Sequence, residues 1–234
     1  MPIADLCGVA KETAALVFVI ALTEHLQELY RQKSIPEEIF WNSMLDIKCK
    51  MMECKQVRGI WGTFVAHWYG RFFLLTRFGL GRLQFEPYFV PETLESEEIK
   101  LSKGELVIKF HIPSAGPLKM EDCEEAFQKA VEFYGHLFPT GEVTFYCESW
   151  LLAPEHKNML PPQSNIRKFM DFFTIFPTGK SMAGNLWRIF GKDVKPEDTN
   201  LPTDTSLRRI YADTLARGEC PTVGIGAFRR KKDA

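Results

Sequence analysis

Apolar positions in the first seventy-odd residues recur at helical spacing. From Glu12 to Arg31, Leu16, Val19, Ile20, Leu26 and Leu29 make a broad apolar stripe, which predicts an amphipathic helix. Ser34 followed by Pro36, Glu37 and Glu38 reads as a second helix start, with a possible cap, a proline and first-turn acids. That helix is expected to run through Phe40, Met44, Ile47 and Met51. A third apolar segment, 60–75, carries Trp61, Phe64, Trp68, Phe72 and Phe73, an aromatic stripe better suited to a core than to a ligand platform.

After Arg77 the texture changes to alternation and β-favouring residues. Residues 81–90 predict a strand closed by Pro91, and the acidic stretch 92–98 a turn or hairpin excursion. Residues 105–112 form the clearest strand, opened by Gly104 and closed by Pro113. A strong helix over 120–137 places Ala126, Phe127, Ala130, Val131 and Tyr134 on one face. Then come a strand over 143–152, a short helix over 165–173 behind Ser164, and Trp187-Arg188-Ile189-Phe190, which reads as a strand. A helix over 205–217 ends at Gly218, and 223–228 is a final strand. The order implies an α/β (α+β) domain with a mixed sheet, preceded by a helical segment.

Composition narrows the class. The chain has 234 residues, 45% of them hydrophobic and 25% charged, which excludes disordered and fibrous classes. Twenty-nine basic residues face thirty acidic ones, for a net charge of -1. That balance disfavours nucleic acid and anionic membrane as partners. The one basic cluster, Arg229-Arg230-Lys231-Lys232, reads as a solvated tail. The longest apolar run, 14–22, is far short of the ~20 residues a membrane span needs, and it has no secretory signal features. Cys7, Cys49, Cys54, Cys123, Cys147 and Cys220 make no Cys-x-x-Cys pair, so they read as reduced thiols in a cytoplasmic protein.

Candidate chemistry gathers where strand 105–112 passes through Pro113-Ser114-Ala115-Gly116-Pro117-Leu118 into a long helix. A short loop of this kind can aim backbone N–H groups and a helix dipole at an anion, or it can merely reverse the chain. It matches neither a Walker A loop nor a dinucleotide fingerprint. His111 ends the strand, as a general base or as a structural histidine. Glu86 ends the preceding strand. Glu148 lies in the apolar run Phe145-Tyr146-Cys147-Glu148-Ser149-Trp150, either flanked by aromatics with a raised pKa or facing solvent. No Gly-x-Ser-x-Gly elbow and no metal-ligand spacing occur, and Cys147 or Cys123 could act as a nucleophile only beside a histidine.

The stretch His111-Ile112-Pro113-Ser114-Ala115-Gly116-Pro117-Leu118, with Ser149-Trp150-Leu151-Leu152 and Ser164-Asn165-Ile166, resembles a bacterial acyltransferase-domain family. Its members join a helical N-terminal domain to a GNAT-like C-terminal domain. Gly81-Arg82-Leu83-Gln84-Phe85-Glu86 and Gly224-Ile225-Gly226 fit the same pattern. The resemblance implies a helical domain over 1–78 and a GNAT-like domain over 79–234. It makes 105–112 the fourth GNAT strand and 143–152 the fifth, with acyl-CoA (acetyl-CoA or another) threading between them. Ile112, Ser114, Ala115, Gly116 and Leu118 would then line the coenzyme A site. Glu86, His111 and Glu148 are the candidate bases, and Tyr146 or Ser149 the proton donor to the departing thiolate. The implied function is transfer of an acyl group from coenzyme A to a small-molecule or peptide amine. A non-catalytic GNAT-derived binding module and a covalent route through Cys147 stand as alternatives.

Overall fold

The computed structural model of the chain describes residues 8–231. Cys7 and Lys232 lie outside the described residues. Eight helices, α1 (Lys11–Gln32), α2 (Glu37–Arg58), α3 (Gly70–Phe73), α4 (Met120–Tyr134), α5 (His156–Met159), α6 (Asn165–Met170), α7 (Trp187–Phe190) and α8 (Ser206–Ala216), accompany eight strands among the described residues. The strands are β1 (Phe78–Leu80), β2 (Leu83–Phe89), β3 (Leu94–Glu95), β4 (Lys100–Leu101), β5 (Leu106–His111), β6 (Glu142–Ser149), β7 (Thr174–Ser181) and β8 (Thr222–Lys231). A six-stranded mixed sheet has the order β1-β2-β5-β6-β8-β7, and β3 pairs with β4 as the expected acidic hairpin. The mixed α/β class predicted from the sequence is the one observed.

Two compact units divide the chain. The first comprises 1–87, 110–117 and 122–130, and the second 88–109, 118–121 and 131–234. In the first, α1 and α2 pack through an aromatic knot in which Tyr30 meets Phe40 at 5.4 Å and Phe78 at 5.9 Å, edge to face. α2 lies directly on β1. A Cβ at Gly79 would come within 2.6 Å of the Asn42 backbone, so only glycine fits there. The Gly79 N–H donates to Ser43 Oγ at 2.8 Å, tying strand to helix. α2 ends at Gly59, whose φ of 74° is the left-handed closure that glycine supplies most cheaply.

In the second unit, β6 pairs parallel to β5, with Ile108 opposite Phe145 and Lys109 opposite Tyr146. It pairs antiparallel to β8 from Glu142–Lys231 to Ser149–Gly224. Val90, Leu101, Val107, Tyr146, Phe176 and Ile225 share one buried cluster. Met182, Leu186, Ile189, Phe190, Tyr211 and Leu215 share another. A Cβ at Gly224 would fall 1.9 Å from the Leu152 carbonyl, so the close approach of β8 to the turn after β6 demands glycine.

Several expectations are corrected. Trp187–Phe190 is a one-turn helix, closed by Gly191 at φ 69°, and not a strand. Its buried Ile189 and Phe190 fill the second cluster, so packing overrides their β propensity. Ser34 does not cap α2: Pro36 holds that position without a side-chain hydrogen bond, and Ser34 sits at φ 53°. Within α1, Ile20 is 50% exposed and so lies off the buried stripe. Segment 60–75 is only partly helical, and its Trp61 is half exposed. Arg229, Arg230 and Lys231 continue β8, where Arg229 donates to the Lys100 carbonyl at 3.1 Å; they are not a tail.

Candidate functional site

The first unit holds a dense buried polar cluster. Alternation along β2 sends Leu83 and Phe85 to one face and Gln84 and Glu86 to the other, all four buried. Phe85 packs on Phe110 and Phe127, which fixes the strand and therefore the direction of Glu86. The Glu86 Oε1 atom lies 2.7 Å from His111 Nε2 and 2.8 Å from Arg77 Nη2, with Arg71 Nε 3.7 Å from Oε2. Burial on its own would raise the Glu86 carboxyl. The hydrogen bonds from His111 and Arg77 outweigh it and hold the group down at about 2. Glu86 is therefore a carboxylate at neutral pH and only accepts, so the hydrogen of its bond to His111 sits on Nε2. In the neutral ring the lone pair is then on Nδ1.

Trp68 forms one wall of this cluster. Its ring lies 3.8 Å beneath the Arg77 guanidinium carbon and meets His111 edge-on at 4.8 Å. Lys50 Nζ stands 5.6 Å from the same ring. α2 presents Asp46, Lys50 and Glu53 on one face, at i, i+4 and i+7, all buried. Lys50 Nζ contacts both Glu53 oxygens at 3.2 Å. Asp46, Gln84, Trp68 and Tyr69 bring further buried polar atoms to the same region, and Gln84 and Trp68 stand close enough to the Asp46 carboxyl to oppose the effect of its burial.

The loop after β5 belongs to the same unit up to Pro117. Arg82 donates to the Pro113 and Gly116 carbonyls at 2.9 and 3.1 Å, and Ser114 Oγ donates to Glu53 Oε1 at 2.6 Å. Gly116 has a φ of 86°, with nothing within 4 Å of where a Cβ would stand. Ile112 is half-buried just ahead of the loop, Ala115 is half-buried within it, and Leu118 is half-buried beyond it in the second unit.

The other sequence candidates sit in the second unit. Glu148 is not set among aromatics in a desolvated pocket: its carboxylate meets Lys180 Nζ at 2.7 Å and Lys109 Nζ at 3.9 Å. Lys109 in turn stands 4.5 Å from the Tyr88 ring centre. Tyr146 is buried against Tyr88 at 5.5 Å, and burial, followed by the Glu148 charge, raises its phenol so that it stays protonated. Ser149 caps the turn after β6 by accepting from the Leu151 N–H at 3.2 Å. Burial pushes the Cys147 thiol up to about 12, so it stays a thiol, far from the thiolate a nucleophile requires. The five described cysteines form no disulfide with one another. Among the described residues no three His, Cys, Asp or Glu groups are placed to hold a metal ion.

Family comparison identifies the domains. Residues 77–228 match the GNAT-like C-terminal domain, and residues 3–75 match the N-acyltransferase N-terminal domain. The chain belongs to this GNAT-like family. No curated protein matches it by sequence. Among solved structures it is similar to an acyltransferase in complex with decanoyl-CoA and teicoplanin, with 20% identity and a TM-score of 0.77 over 93% of this chain. It is also similar to an acyltransferase in complex with CoA and 10C-teicoplanin, with 21% identity and a TM-score of 0.72 over 89% of this chain. The chain covers 66% and 64% of those two chains respectively. At these identities the likeness is one of fold: a helical N-terminal region followed by a GNAT-like domain.

Arg77, Asp46, Lys50 and Glu53 were no site candidates in the sequence reading, and Arg82 entered it only inside the motif of residues 81–86. The signal for Asp46, Lys50 and Glu53 is their spacing, which puts three charges on one face of a helix that packs against a sheet.

Proposed function

We propose that this GNAT-like protein is an acyl-CoA-dependent N-acyltransferase that moves an acyl group to the amine of a small molecule or peptide. His111 takes the proton of the attacking amine on Nδ1. The amine nitrogen bonds to the thioester carbonyl carbon, the carbon–sulfur bond breaks, and coenzyme A leaves as a thiolate that takes up the proton held on His111, which returns the imidazole to its neutral form. Glu86 holds the His111 ring in the required tautomer and stabilises the imidazolium as it forms, while Arg77 keeps Glu86 ionised. The observation that carries this reading is the 2.7 Å contact between Glu86 and His111 at the end of the strand that leads into the loop.

The loop of Ser114, Ala115 and Gly116 is the proposed seat of the coenzyme A pyrophosphate. The acyl group is acetyl or longer. Longer chains and an amine acceptor are supported by the decanoyl-CoA and the teicoplanin bound in an acyltransferase structure of the same fold. Reduced thiols and a near-neutral charge support a cytoplasmic setting; among the described residues no helix is long and apolar enough to cross a membrane.

The test is a thermal-shift titration with coenzyme A, acetyl-CoA and decanoyl-CoA, followed by release of free thiol in the presence of an amine panel. Binding at a hundredfold excess over Kd adds about 2.7 kcal/mol, a rise of roughly 5–10 °C for a chain of this size. Saturable shifts without thiol release on any amine would move the assignment to the non-catalytic binding module. No shift at millimolar ligand would remove coenzyme A altogether.

A further inference from the structure

The loop after β5 is gripped by side chains that lie far away in sequence. Arg82, in the turn between β1 and β2, binds the Pro113 carbonyl through Nη1 at 2.9 Å and the Gly116 carbonyl through Nη2 at 3.1 Å. Its guanidinium is a rigid planar fork, so it fixes the spacing of the two carbonyls as well as their direction. From α2, Glu53 accepts the Ser114 hydroxyl at 2.6 Å while Lys50 contacts both Glu53 oxygens at 3.2 Å, so this second anchor is itself immobilised.

The grip has a consequence for polarity. No described peptide is cis, so the Ser114 N–H points opposite to the Pro113 carbonyl in their shared plane. Drawing that carbonyl onto Arg82 turns the amide away from Arg82. Among the described residues, the Ser114, Ala115 and Gly116 amides donate to no protein group. Carbonyl lone pairs, which would repel a phosphate, are thus engaged by a cation, while the amides, which would bind one, are left for a ligand.

We infer that Arg82 and Glu53 are positioning residues that hold the loop in the anion-accepting conformation the coenzyme A pyrophosphate requires. The inference rests on the acyl-CoA reading above. It gives the helical region a binding role through α2, beyond that of a scaffold. Neither residue touches the reacting atoms, so their loss shows in binding and not in chemistry.

The experiment compares acyl-CoA with the corresponding acyl-pantetheine, which carries the same thioester without the pyrophosphate, on wild type, Arg82→Gln, Arg82→Lys and Glu53→Gln. In Arg82→Gln the KM for acyl-CoA and the Kd for coenzyme A should rise about tenfold or more, with kcat within about threefold of wild type. The KM for acyl-pantetheine should not move. Arg82→Lys, which keeps the charge but loses the fork, should fall between the two. Glu53→Gln should lose several-fold in coenzyme A affinity. Wild-type affinity in Arg82→Gln, or equal losses on acyl-CoA and acyl-pantetheine, would overturn the inference while leaving the acyl-CoA reading in place. If Arg82→Gln does not fold, Arg82→Lys carries the test, and a wild-type KM in that variant overturns the inference equally. A wild-type protein that binds no coenzyme A defeats the parent reading and this one with it.

Discussion

Glu86 Oε1 is shared between His111 Nε2 at 2.7 Å and Arg77 Nη2 at 2.8 Å, so one buried oxygen serves both a candidate base and the cation that keeps the carboxylate charged. The sharing fixes the His111 tautomer with its hydrogen on the Glu86 side. His111→Ala removes the base without unpairing Arg77. It should lower kcat by about 10²–10⁴ and leave the Kd for coenzyme A within about twofold. Steady-state kinetics with a responsive amine, together with calorimetric titration of coenzyme A, checks both numbers; unchanged kcat would remove His111 from the chemistry.

The same geometry makes Glu86 a stability element. Its carboxyl sits at about 2 in the folded chain, below its ordinary 4.5. A depressed acid stabilises the fold above its unfolded value, so this contribution is complete above about pH 4.5 and lost as pH falls toward 2. The shift corresponds to stability on the order of 3 kcal/mol, and Glu86→Gln also strands a buried arginine. The Tm of Glu86→Gln should therefore drop by roughly 6–12 °C at pH 7. The gap to wild type should narrow as pH is lowered from 4.5 toward 2, which scanning calorimetry across that range would show. A pH-independent gap would mean the loss comes from packing alone.

How much of this was legible in the sequence follows from how local each signal is. β5 and α4 are written in contiguous periodicity between Gly104 and Pro113 and from Met120 onward, and both stand where the pattern puts them. β7 escaped notice because Pro177 and Gly179 interrupt it, residues an edge strand tolerates and a central strand does not. Reading α2 through Phe40, Met44, Ile47 and Met51 found the apolar stripe and passed over the charged one. Asp46, Lys50 and Glu53 are buried too, more fully than Met51. The pairing of Glu86 with His111 across 25 residues, and the reach of Arg82 to Gly116 across 34, depend on strand register and turn shape. No motif announces either.

Cys147 offers a direct check on the covalent alternative. Wholly buried, with its thiol pushed up to about 12, it carries a negligible thiolate fraction at neutral pH. Cys147→Ala should retain activity within about twofold, since the change removes one buried sulfur. Intact-mass measurement after incubation with acyl-CoA should show no acyl adduct on the wild type. An adduct that disappears in Cys147→Ala would reinstate the covalent route.

Asp46 should behave in the opposite sense to Glu86. It is 1% exposed and lies beside Gln84, Trp68 and Lys50. Burial raises its carboxyl above the ordinary 3.8, against the pull of Lys50, Gln84 and Trp68. For a raised acid the unfolded chain releases its proton first, so stability declines as pH climbs from 3.8 through the folded value and stays lower above it. Asp46→Asn keeps the shape and removes the charge that folding disfavours. Its Tm should exceed that of wild type by a few degrees at pH 7–8, and the advantage should vanish below pH 3.8, where both forms are neutral. Because Asp46 lies beside Trp68 in the buried polar cluster that holds His111, the same variant should also be assayed for acceptor affinity. A more stable protein with a raised KM for the amine would show that the buried carboxylate is kept for a ligand. A Tm below that of wild type at pH 7 would instead mean that the attraction of the nearby Lys50 charge, with the contacts of Gln84 and Trp68, outweighs the cost of burying the charge.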